Sequence, residues 1–238
     1  MRTVILCGGK GARLGDLGRE LPKPLLPVGD HPLVWHLMKI YATQGHCDFV
    51  LCLGHLKERF YEYFGDPPAS ARGWSVELSD TGPETPTGGR LLRIAPLVDG
   101  PLFFATYGDG LSDVDLARLL AFHRSHGRVA TMTAVRPRVN FGVAHIADDG
   151  KVTRFDEKPL MDARVNGGFF VFDRRVFDYL ADDSVLEREP LERLAAEGEL
   201  MAYRHDGFWT CMDTYKDHLL LNEWWERGDA PWRIWAEA

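Results

Sequence analysis

The sequence predicts an α/β fold with a Rossmann-like, mostly parallel central sheet flanked by helices, together with a smaller β-containing portion. Short apolar runs alternate with amphipathic helical patterns through the first half of the chain, which is typical of a parallel sheet covered by helices. The first apolar run, Thr3–Cys7, leads directly into a glycine-rich loop. The second half is less regular and carries a hairpin signal, Asp148-Asp149-Gly150, between two short apolar runs.

The elements follow from these patterns in order. Apolar runs predict strands at Thr3–Cys7, Asp48–Leu53, Trp74–Leu78, Leu102–Thr106, Arg128–Val135, Val143–Ile146, Val152–Phe155, Gly168–Phe172 and Leu200–His205. Helical periodicity predicts Pro32–Thr43, Leu56–Phe64, a helix capped by Ser112 or Asp113 that runs to His123, Arg175–Leu180, Glu189–Glu197 and Thr214–Arg227. We expect a single domain over 1–238.

Composition excludes several classes of partner. The chain has 238 residues, of which 45% are hydrophobic, and a net charge of −7 without a basic patch, so we expect no nucleic-acid partner. No apolar run approaches the roughly 18 residues of a membrane span. Because the first strand begins at Thr3, we expect no signal peptide. The four cysteines are widely spaced and form no zinc pattern, which favours a cytoplasmic location.

The glycine-rich loop indicates a phosphate site. Backbone N–H groups of Gly8, Gly9 and Gly11 can turn inward to form an anion-binding concavity. Arg13 and Lys23 supply two cations nearby, and the prolines beside Lys23 stiffen its backbone. We therefore expect a loop that grips a triphosphate; a glycine-rich turn without a ligand is the alternative.

Two better-known glycine motifs do not match this loop. A dinucleotide fingerprint needs a third glycine where the chain has Leu14, which disfavours a dinucleotide-dependent oxidoreductase. A Walker A loop needs Gly-Lys-Ser/Thr, whereas Gly11 follows Lys10.

The run Gly8-Gly9-Lys10-Gly11-Ala12-Arg13-Leu14, with Pro22-Lys23-Pro24, resembles the signature of the sugar-1-phosphate nucleotidylyltransferases, which usually have Thr in place of Ala12. Separated motifs in the same order, Trp35-His36, Glu187–Pro190, His205–Trp209 and Pro231-Trp232, resemble the glucose-1-phosphate cytidylyltransferase branch. The resemblance implies the nucleotide-diphospho-sugar transferase fold, with a nucleotide-binding half over 1–140 and a sugar-phosphate-binding half over 141–238. It also implies that Arg13 and Lys23 are catalytic and that Leu6, Gly8, Gly9, Gly11 and Ala12 bind the nucleotide.

Two aspartates are candidate metal ligands. Asp109 comes directly after a buried strand, at the sheet edge where ligands gather, and a carboxylate beside phosphates is a natural Mg²⁺ ligand. A helix cap is its alternative role, although Ser112 and Asp113 suit that role better. Asp213 precedes a helix and could equally be a cap; the resemblance implies that it completes a Mg²⁺ site with Asp109.

The sugar half contains further candidates through the resemblance. Glu157-Lys158-Pro159 matches a sugar-phosphate contact, with Lys158 as the counter-ion of the acceptor phosphate. Asn166 and Gly167 match a position that binds sugar hydroxyls, and we assign Gly142 to the same pocket. A solvated surface lysine and a turn that begins a strand are the respective alternatives.

We expect backbone groups of a second glycine-rich region to recognise the base of the nucleotide. Thr81, Thr87, Gly88 and Gly89 are the candidates. Cytosine presents an amino donor where uracil presents a carbonyl, so a pocket selecting CTP must offer an acceptor there.

We therefore expect an Mg²⁺-dependent enzyme that condenses CTP with a hexose 1-phosphate to give a CDP-sugar and pyrophosphate. The hexose 1-phosphate that we favour is α-D-glucose 1-phosphate. UTP or dTTP, or another sugar 1-phosphate, is the close alternative. A non-catalytic nucleotide-sugar-binding subunit is a more distant one. We expect a homo-oligomer, although Gly65–Gly73 is shorter than the family's insertion at that place.

Overall fold

A computed structural model describes residues 1–11, 17–65, 73–139 and 141–236. Its strands are β1 (Thr3–Leu6), β2 (Pro27–Val28), β3 (His31–Pro32), β4 (Asp48–Leu53), β5 (Ser75–Asp80), β6 (Leu102–Tyr107), β7 (Gly110–Ser112), β8 (Ala130–Val135), β9 (Val143–Ile146), β10 (Val152–Asp156), β11 (Val165–Asp173), β12 (Leu200–Arg204) and β13 (Trp209–Cys211). Its α-helices are α1 (Leu17–Glu20), α2 (Leu33–Thr43), α3 (Lys57–Gly65), α4 (Thr87–Arg93), α5 (Leu116–His126), α6 (Glu189–Ala196) and α7 (Tyr215–Glu226).

A seven-stranded sheet in the order β12-β8-β11-β6-β1-β4-β5 forms the centre of the molecule. Strands β5, β4, β1 and β6 pair in parallel, as do β12 and β8, whereas β11 is antiparallel to both of its neighbours. The predicted mostly parallel sheet is therefore confirmed, and the carboxyl ends of β1, β4, β5 and β6 meet at one edge.

Helices pack on both faces of this sheet because successive strand side chains point to opposite faces. Ile5 and Leu51 face one layer with Leu37 and Tyr41 of α2. Their chain neighbours Val4 and Val50 face the other layer, with residues of α4 and α6, in a separate apolar cluster. The two clusters fix the sheet between its helices, so that the loops at the carboxyl edge are held by rigid elements.

A group of aromatic rings packs in the layer that contains α2. Trp232 is fully buried and packs with the imidazole of His36, which is itself buried in α2. The indole Nε1 of Trp232 donates to His36 Nδ1 at 3.4 Å, and His36 Nε2 lies 2.8 Å from the carbonyl oxygen of Val28. These contacts require neutral His36 with its proton on Nε2, and burial lowers its pKa to about 4.

One local prediction is wrong. Neither Ser112 nor Asp113 caps α5: the cap is Asp115, whose carboxylate accepts from the Arg118 N–H at 2.9 Å, and the helix continues to His126. Residues 110–112 instead form β7, which pairs with β13. Because their backbone is part of a strand, these residues do not begin the helix. The helix predicted at Arg175–Leu180 is present as a 3₁₀ helix, Arg174–Tyr179.

Candidate active site

A cavity of about 480 Å³ opens at the carboxyl edge of the sheet, where the loops after β1, β5 and β6 converge. This is the position at which parallel sheets bind ligands. Its described lining comprises Leu6, Cys7, Gly8, Gly9, Lys10, Gly11, Lys23, Pro24, Pro83, Glu84, Thr85, Pro86, Thr87, Arg90, Tyr107, Gly108 and Asp109. The lining therefore includes the predicted residues Leu6, Gly8, Gly9 and Gly11; Ala12 and Arg13 lie outside the described residues.

The glycine-rich loop rests on a buried arginine that the sequence analysis did not single out. The guanidinium of Arg90 donates to the carbonyl oxygens of Gly8 (3.0 Å), Leu53 (2.7 Å) and Gly82 (2.8 Å). A Cβ at Gly8 would lie 2.1 Å from Arg90 Cζ, so only glycine leaves room for this packing. Arg90 thus ties together the loops after β1, β4 and β5; its place in a short glycine-rich helix was the only available signal.

The central feature of the site is an ion-pair cluster of Lys23, Asp109 and Asp213. The Nζ atom of Lys23 donates to Asp109 Oδ2 at 2.9 Å and to Asp213 Oδ1 at 2.9 Å. The lysine side chain is only 10% exposed. Burial acts to lower the pKa of Lys23, but the two carboxylates outweigh it and raise the pKa, so the ammonium stays charged at neutral pH. The structure brings three predicted site residues into direct contact.

Two short strands explain how carboxylates so distant in sequence meet. Strand β7 begins directly after Asp109, and β13 ends two residues before Asp213. The two strands are antiparallel, with Cys211 opposite Gly110, and the Met212 N–H donates to the Asp109 carbonyl at 2.9 Å. This pairing therefore sets the two carboxylates side by side, facing Lys23 of the 3₁₀ helix Lys23–Leu25.

The alternative role of Asp213 as a helix cap is taken by its neighbour. Thr214 is the N-cap of α7, and its side chain and that of Asp217 form a reciprocal capping box. The Asp217 carboxylate also accepts from the Asp213 backbone N–H at 3.0 Å. The helix start is thus satisfied without the Asp213 side chain, which leaves that carboxylate directed at Lys23.

The donor set suits a magnesium ion. Within the described ranges no group of three or more His, Cys, Asp or Glu side chains could hold a metal by itself. Mg²⁺ commonly takes only one or two carboxylates and completes its shell with phosphate oxygens and water. Asp109 and Asp213 already converge on one cation, the Lys23 ammonium, so their oxygens are placed as a pair of ligands would be.

A hydrogen-bonded chain of polar side chains forms a wall beside the cavity, which Thr87 and Tyr107 line. The Tyr107 hydroxyl donates to Glu187 Oε1 at 2.5 Å and accepts from the Asn166 side-chain amide at 3.1 Å. Thr87 donates to the other oxygen of Glu187 at 2.7 Å. Burial and the Glu187 carboxylate raise the pKa of Tyr107, which therefore remains a neutral donor. Of these residues, the sequence analysis had named only Thr87 and Asn166 as site residues.

The candidates for base recognition occupy different environments. Thr87 lines the cavity, whereas Thr81 is buried and donates to the Leu53 carbonyl at 2.7 Å. The N–H groups of Gly88 and Gly89 both donate to the Ser184 carbonyl, and a Cβ on Gly88 would lie 2.7 Å from that oxygen. These two glycines allow close packing of the 182–184 segment. Their predicted contact with the base stays a prediction.

The sugar-half candidates lie around the same wall and a neighbouring hairpin. Asn166 belongs to the wall, and the carbonyl of Gly167 accepts from Trp209 Nε1 at 2.7 Å. Lys158 is 51% exposed, and its ammonium lies 3.5 Å from its chain neighbour Glu157. A Cβ at Gly142 would collide with the Phe155 ring, so this glycine serves packing of the β9–β10 hairpin. The roles of these residues toward a sugar phosphate stay predictions.

Comparison with known proteins places this geometry in a family. The nucleotidyl transferase family profile matches residues 2–211. The chain belongs to this family. It is 40% identical over 255 residues to a probable glucose-1-phosphate cytidylyltransferase of Bacillus subtilis (strain 168), covering 99% of this chain and 100% of the relative. It is also 42% identical over 257 residues to the glucose-1-phosphate cytidylyltransferase of Salmonella typhi, with the same coverage.

Solved structures show the same fold at lower identity. HddC from Yersinia pseudotuberculosis, solved in complex with GMP-PN, aligns with a TM-score of 0.74 at 20% identity, covering 94% of this chain and 99% of that one. A putative glucose-1-phosphate thymidylyltransferase from Bacillus anthracis aligns with a TM-score of 0.71 at 20% identity, covering 100% and 97%. This nucleotidyltransferase thus has the predicted nucleotide-diphospho-sugar transferase fold. In the described ranges, none of its helices is long and apolar enough to cross a membrane.

Proposed function

We propose that this nucleotidyltransferase joins CTP to α-D-glucose 1-phosphate, giving CDP-glucose and pyrophosphate. The observation that carries the proposal is the cluster in which Lys23 meets Asp109 and Asp213 at the edge of a cavity formed by a glycine-rich loop. The choice of CTP and glucose 1-phosphate rests on the full-length relatives of Bacillus subtilis and Salmonella typhi, whose names state that activity.

The reaction needs positioning and charge neutralisation more than proton transfer. The acceptor phosphate is anionic at neutral pH and attacks the α-phosphorus of CTP, forming one P–O bond while the bond to the β-phosphate breaks and pyrophosphate departs. No proton has to be removed from the nucleophile. Catalysis then depends on holding two polyanions in line and on stabilising the charge of the transition state.

The residues divide this work between them. Backbone N–H groups of the Gly8–Gly11 loop would bind the triphosphate, with Arg13 on the departing β- and γ-phosphates. Lys23 would contact the α-phosphate, and Lys158 would hold the acceptor phosphate. Asp109 and Asp213 would hold Mg²⁺, which when bound supplies charge neutralisation between phosphate groups.

We infer that the triphosphate enters beside the Lys10–Glu84 ion pair. Both residues line the cavity, and their charged groups lie 2.8 Å apart between the glycine-rich loop and the segment after β5. The pair is exposed, and such pairs contribute little to stability. An entering triphosphate can therefore take over the Lys10 ammonium at small cost.

Product analysis tests the proposal. The enzyme is incubated with Mg²⁺, CTP and α-D-glucose 1-phosphate, and the products are followed by ³¹P NMR. We expect CDP-glucose and pyrophosphate in equal amounts, and neither product when one substrate is left out. Nucleotide binding without turnover would instead support the non-catalytic subunit.

A further inference from the structure

The position of Lys23 suggests how the metal site is controlled. We propose that Lys23 is an internal counter-ion that occupies the space between Asp109 and Asp213 and keeps a divalent cation out until a nucleotide draws the ammonium away. Metal and nucleotide would then enter the site together. The inference rests on the proposed function, since it concerns the same site.

Geometry provides the first support. One ammonium contacts one oxygen of each carboxylate at the same distance, 2.9 Å. A Mg²⁺ ion bound by both carboxylates would have to come within about 2.1 Å of its ligand oxygens. The ammonium lies where the carboxylates converge, so a cation bridging them would displace Lys23 from at least one of its two contacts.

The backbone restricts how this displacement can occur. Lys23 stands between Pro22 and Pro24, begins the 3₁₀ helix Lys23–Leu25, and its carbonyl accepts from the Leu26 N–H at 3.1 Å. The two prolines fix their own φ angles and limit the conformations of their neighbours. The Lys23 backbone therefore stays in place, and its flexible side chain is the part that can turn toward a phosphate in the adjoining cavity.

Charge gives the second support. Two carboxylates and one ammonium carry a formal charge of −1, and a divalent cation added to these three groups would bring them to +1. The Lys23 side chain is 10% exposed and those of Asp109 and Asp213 are 29% and 32% exposed, so the groups are only partly solvated. Like charges at close range are unfavourable where burial lowers the effective dielectric. A nucleotide triphosphate removes the excess because its oxygens can bind both the cation and the ammonium.

Thermodynamic linkage couples metal binding to nucleotide binding in this proposal. If nucleotide frees the carboxylates for metal, metal must strengthen nucleotide binding by the same factor. The wild-type protein should hold a divalent cation weakly when no nucleotide is present. Removing the ammonium should uncouple the two ligands by making the metal site available at all times.

Mn²⁺ binding to the full chain without nucleotide tests this directly, with the free ion measured by EPR. Lys23→Met removes the ammonium, and Lys23→Gln is a polar second variant in case the first does not fold. Lys10→Met is the matched control, because Lys10 lines the same cavity but pairs with Glu84. We expect the Kd of Mn²⁺ to fall by about tenfold in the Lys23 variants, within the usual range for coupled sites.

The control should stay within about twofold of wild type, because the Lys10 ammonium is exposed to solvent and already paired with Glu84, and exposed charges are screened. Unchanged Mn²⁺ affinity in folded Lys23→Met and Lys23→Gln would overturn the proposal. An equal gain in Lys10→Met would also overturn it, since the effect would then be one of overall cavity charge. None of these measurements needs turnover, so failure of the proposed reaction and failure of the counter-ion role are separately visible.

Discussion

Lys23 and Asp109 are 86 positions apart in the chain, yet the ammonium of one donates to the carboxylate of the other at 2.9 Å. The contact joins the segment that follows the glycine-rich loop to the end of β6. Asp213 completes it from the opposite end of the chain. The proposed chemistry depends on this convergence, and the variants below test its parts separately.

Replacing Lys23 by Ala should lower kcat by about 10²- to 10³-fold, the usual effect of removing one group that stabilises transition-state charge. Lys10→Ala removes a cavity charge that is exposed and paired with Glu84, and it should raise KM for the nucleotide with a much smaller change in kcat. Steady-state kinetics of both variants checks this. Similar kcat values for Lys23→Ala and wild type would contradict the assigned role.

Asp213 and Thr214 are adjacent residues with separable roles. Asp213→Asn should cut turnover and raise the Mg²⁺ concentration needed for half-maximal rate, because an amide is a weaker ligand for a hard cation. Thr214→Ala should lower stability by about 1 kcal/mol through loss of the N-cap while leaving the Mg²⁺ dependence unchanged. Thermal melts and Mg²⁺ titrations of both variants distinguish the two roles. If Asp213→Asn lowered only stability and Thr214→Ala changed the Mg²⁺ dependence, Asp213 would be the structural residue.

Gly9 and Gly8 form a second matched pair. A Cβ on Gly9 would meet no atom of the described residues within 4 Å, although Gly9 lines the cavity. Gly9→Ala should therefore keep its melting temperature but raise KM for the nucleotide by about tenfold, equivalent to about 1.4 kcal/mol.

Gly8→Ala should instead destabilise the fold by about 1–3 kcal/mol, because its new methyl group would press on Arg90. Normal nucleotide KM in Gly9→Ala would argue against a triphosphate in this loop.

Lys158→Ala tests the sugar half. It should raise KM for the sugar phosphate by about tenfold or more, the size of one charge-assisted hydrogen bond, with little change in KM for the nucleotide. Lys151, which is exposed next to the turn of the β9–β10 hairpin, provides the control. Lys151→Ala should leave the KM values for both substrates unchanged. Equal effects of Lys158→Ala on both substrates would return Lys158 to the role of a surface lysine.

Buried His36 predicts a loss of stability in acid. Its folded-state pKa of about 4 lies below the usual 6.5, so the unfolded chain binds more protons between these values and stability falls as pH decreases. From pH 7 to pH 5 this residue alone should remove about 2 kcal/mol from the free energy of unfolding, measured with urea.

His36→Gln should flatten that slope between pH 7 and pH 5. An unchanged slope in folded His36→Gln would show that His36 is not the titrating group.

Much of the fold follows from local sequence patterns. The strands of the parallel sheet and most helices are readable because buried runs and apolar periodicity are repeated signals along the chain. The β7–β13 pairing is not readable, since each strand has three residues and its partner lies about a hundred positions away. The wrong prediction of the α5 cap has the same cause. Ser112, which resembles a helix cap in the sequence, belongs to β7 and pairs with a distant strand.

The site divides in a similar way. Lys23 and Asp109 could be found because each stands in a distinctive local context, whereas Asp213 was a candidate only through the family resemblance, since its place before a helix suits a cap equally well. The fold brings the three together. Arg90 and Glu187 could not, since their partners are backbone carbonyls and side chains on separate loops. Gly88 and Gly89 mark a close approach of backbone, but a sequence does not tell which segment approaches.

Cytidylyl transfer to a hexose 1-phosphate can be tested in a single substrate-matrix assay. Pyrophosphate release is measured across a matrix of CTP, UTP, dTTP, ATP and GTP with several sugar 1-phosphates, and kcat/KM is compared for every pair. We predict the highest value for CTP with α-D-glucose 1-phosphate, because a site that hydrogen-bonds one base rejects another whose polar groups are mismatched. Comparable kcat/KM for CTP and UTP, or a clear preference for another nucleotide, would contradict the claim.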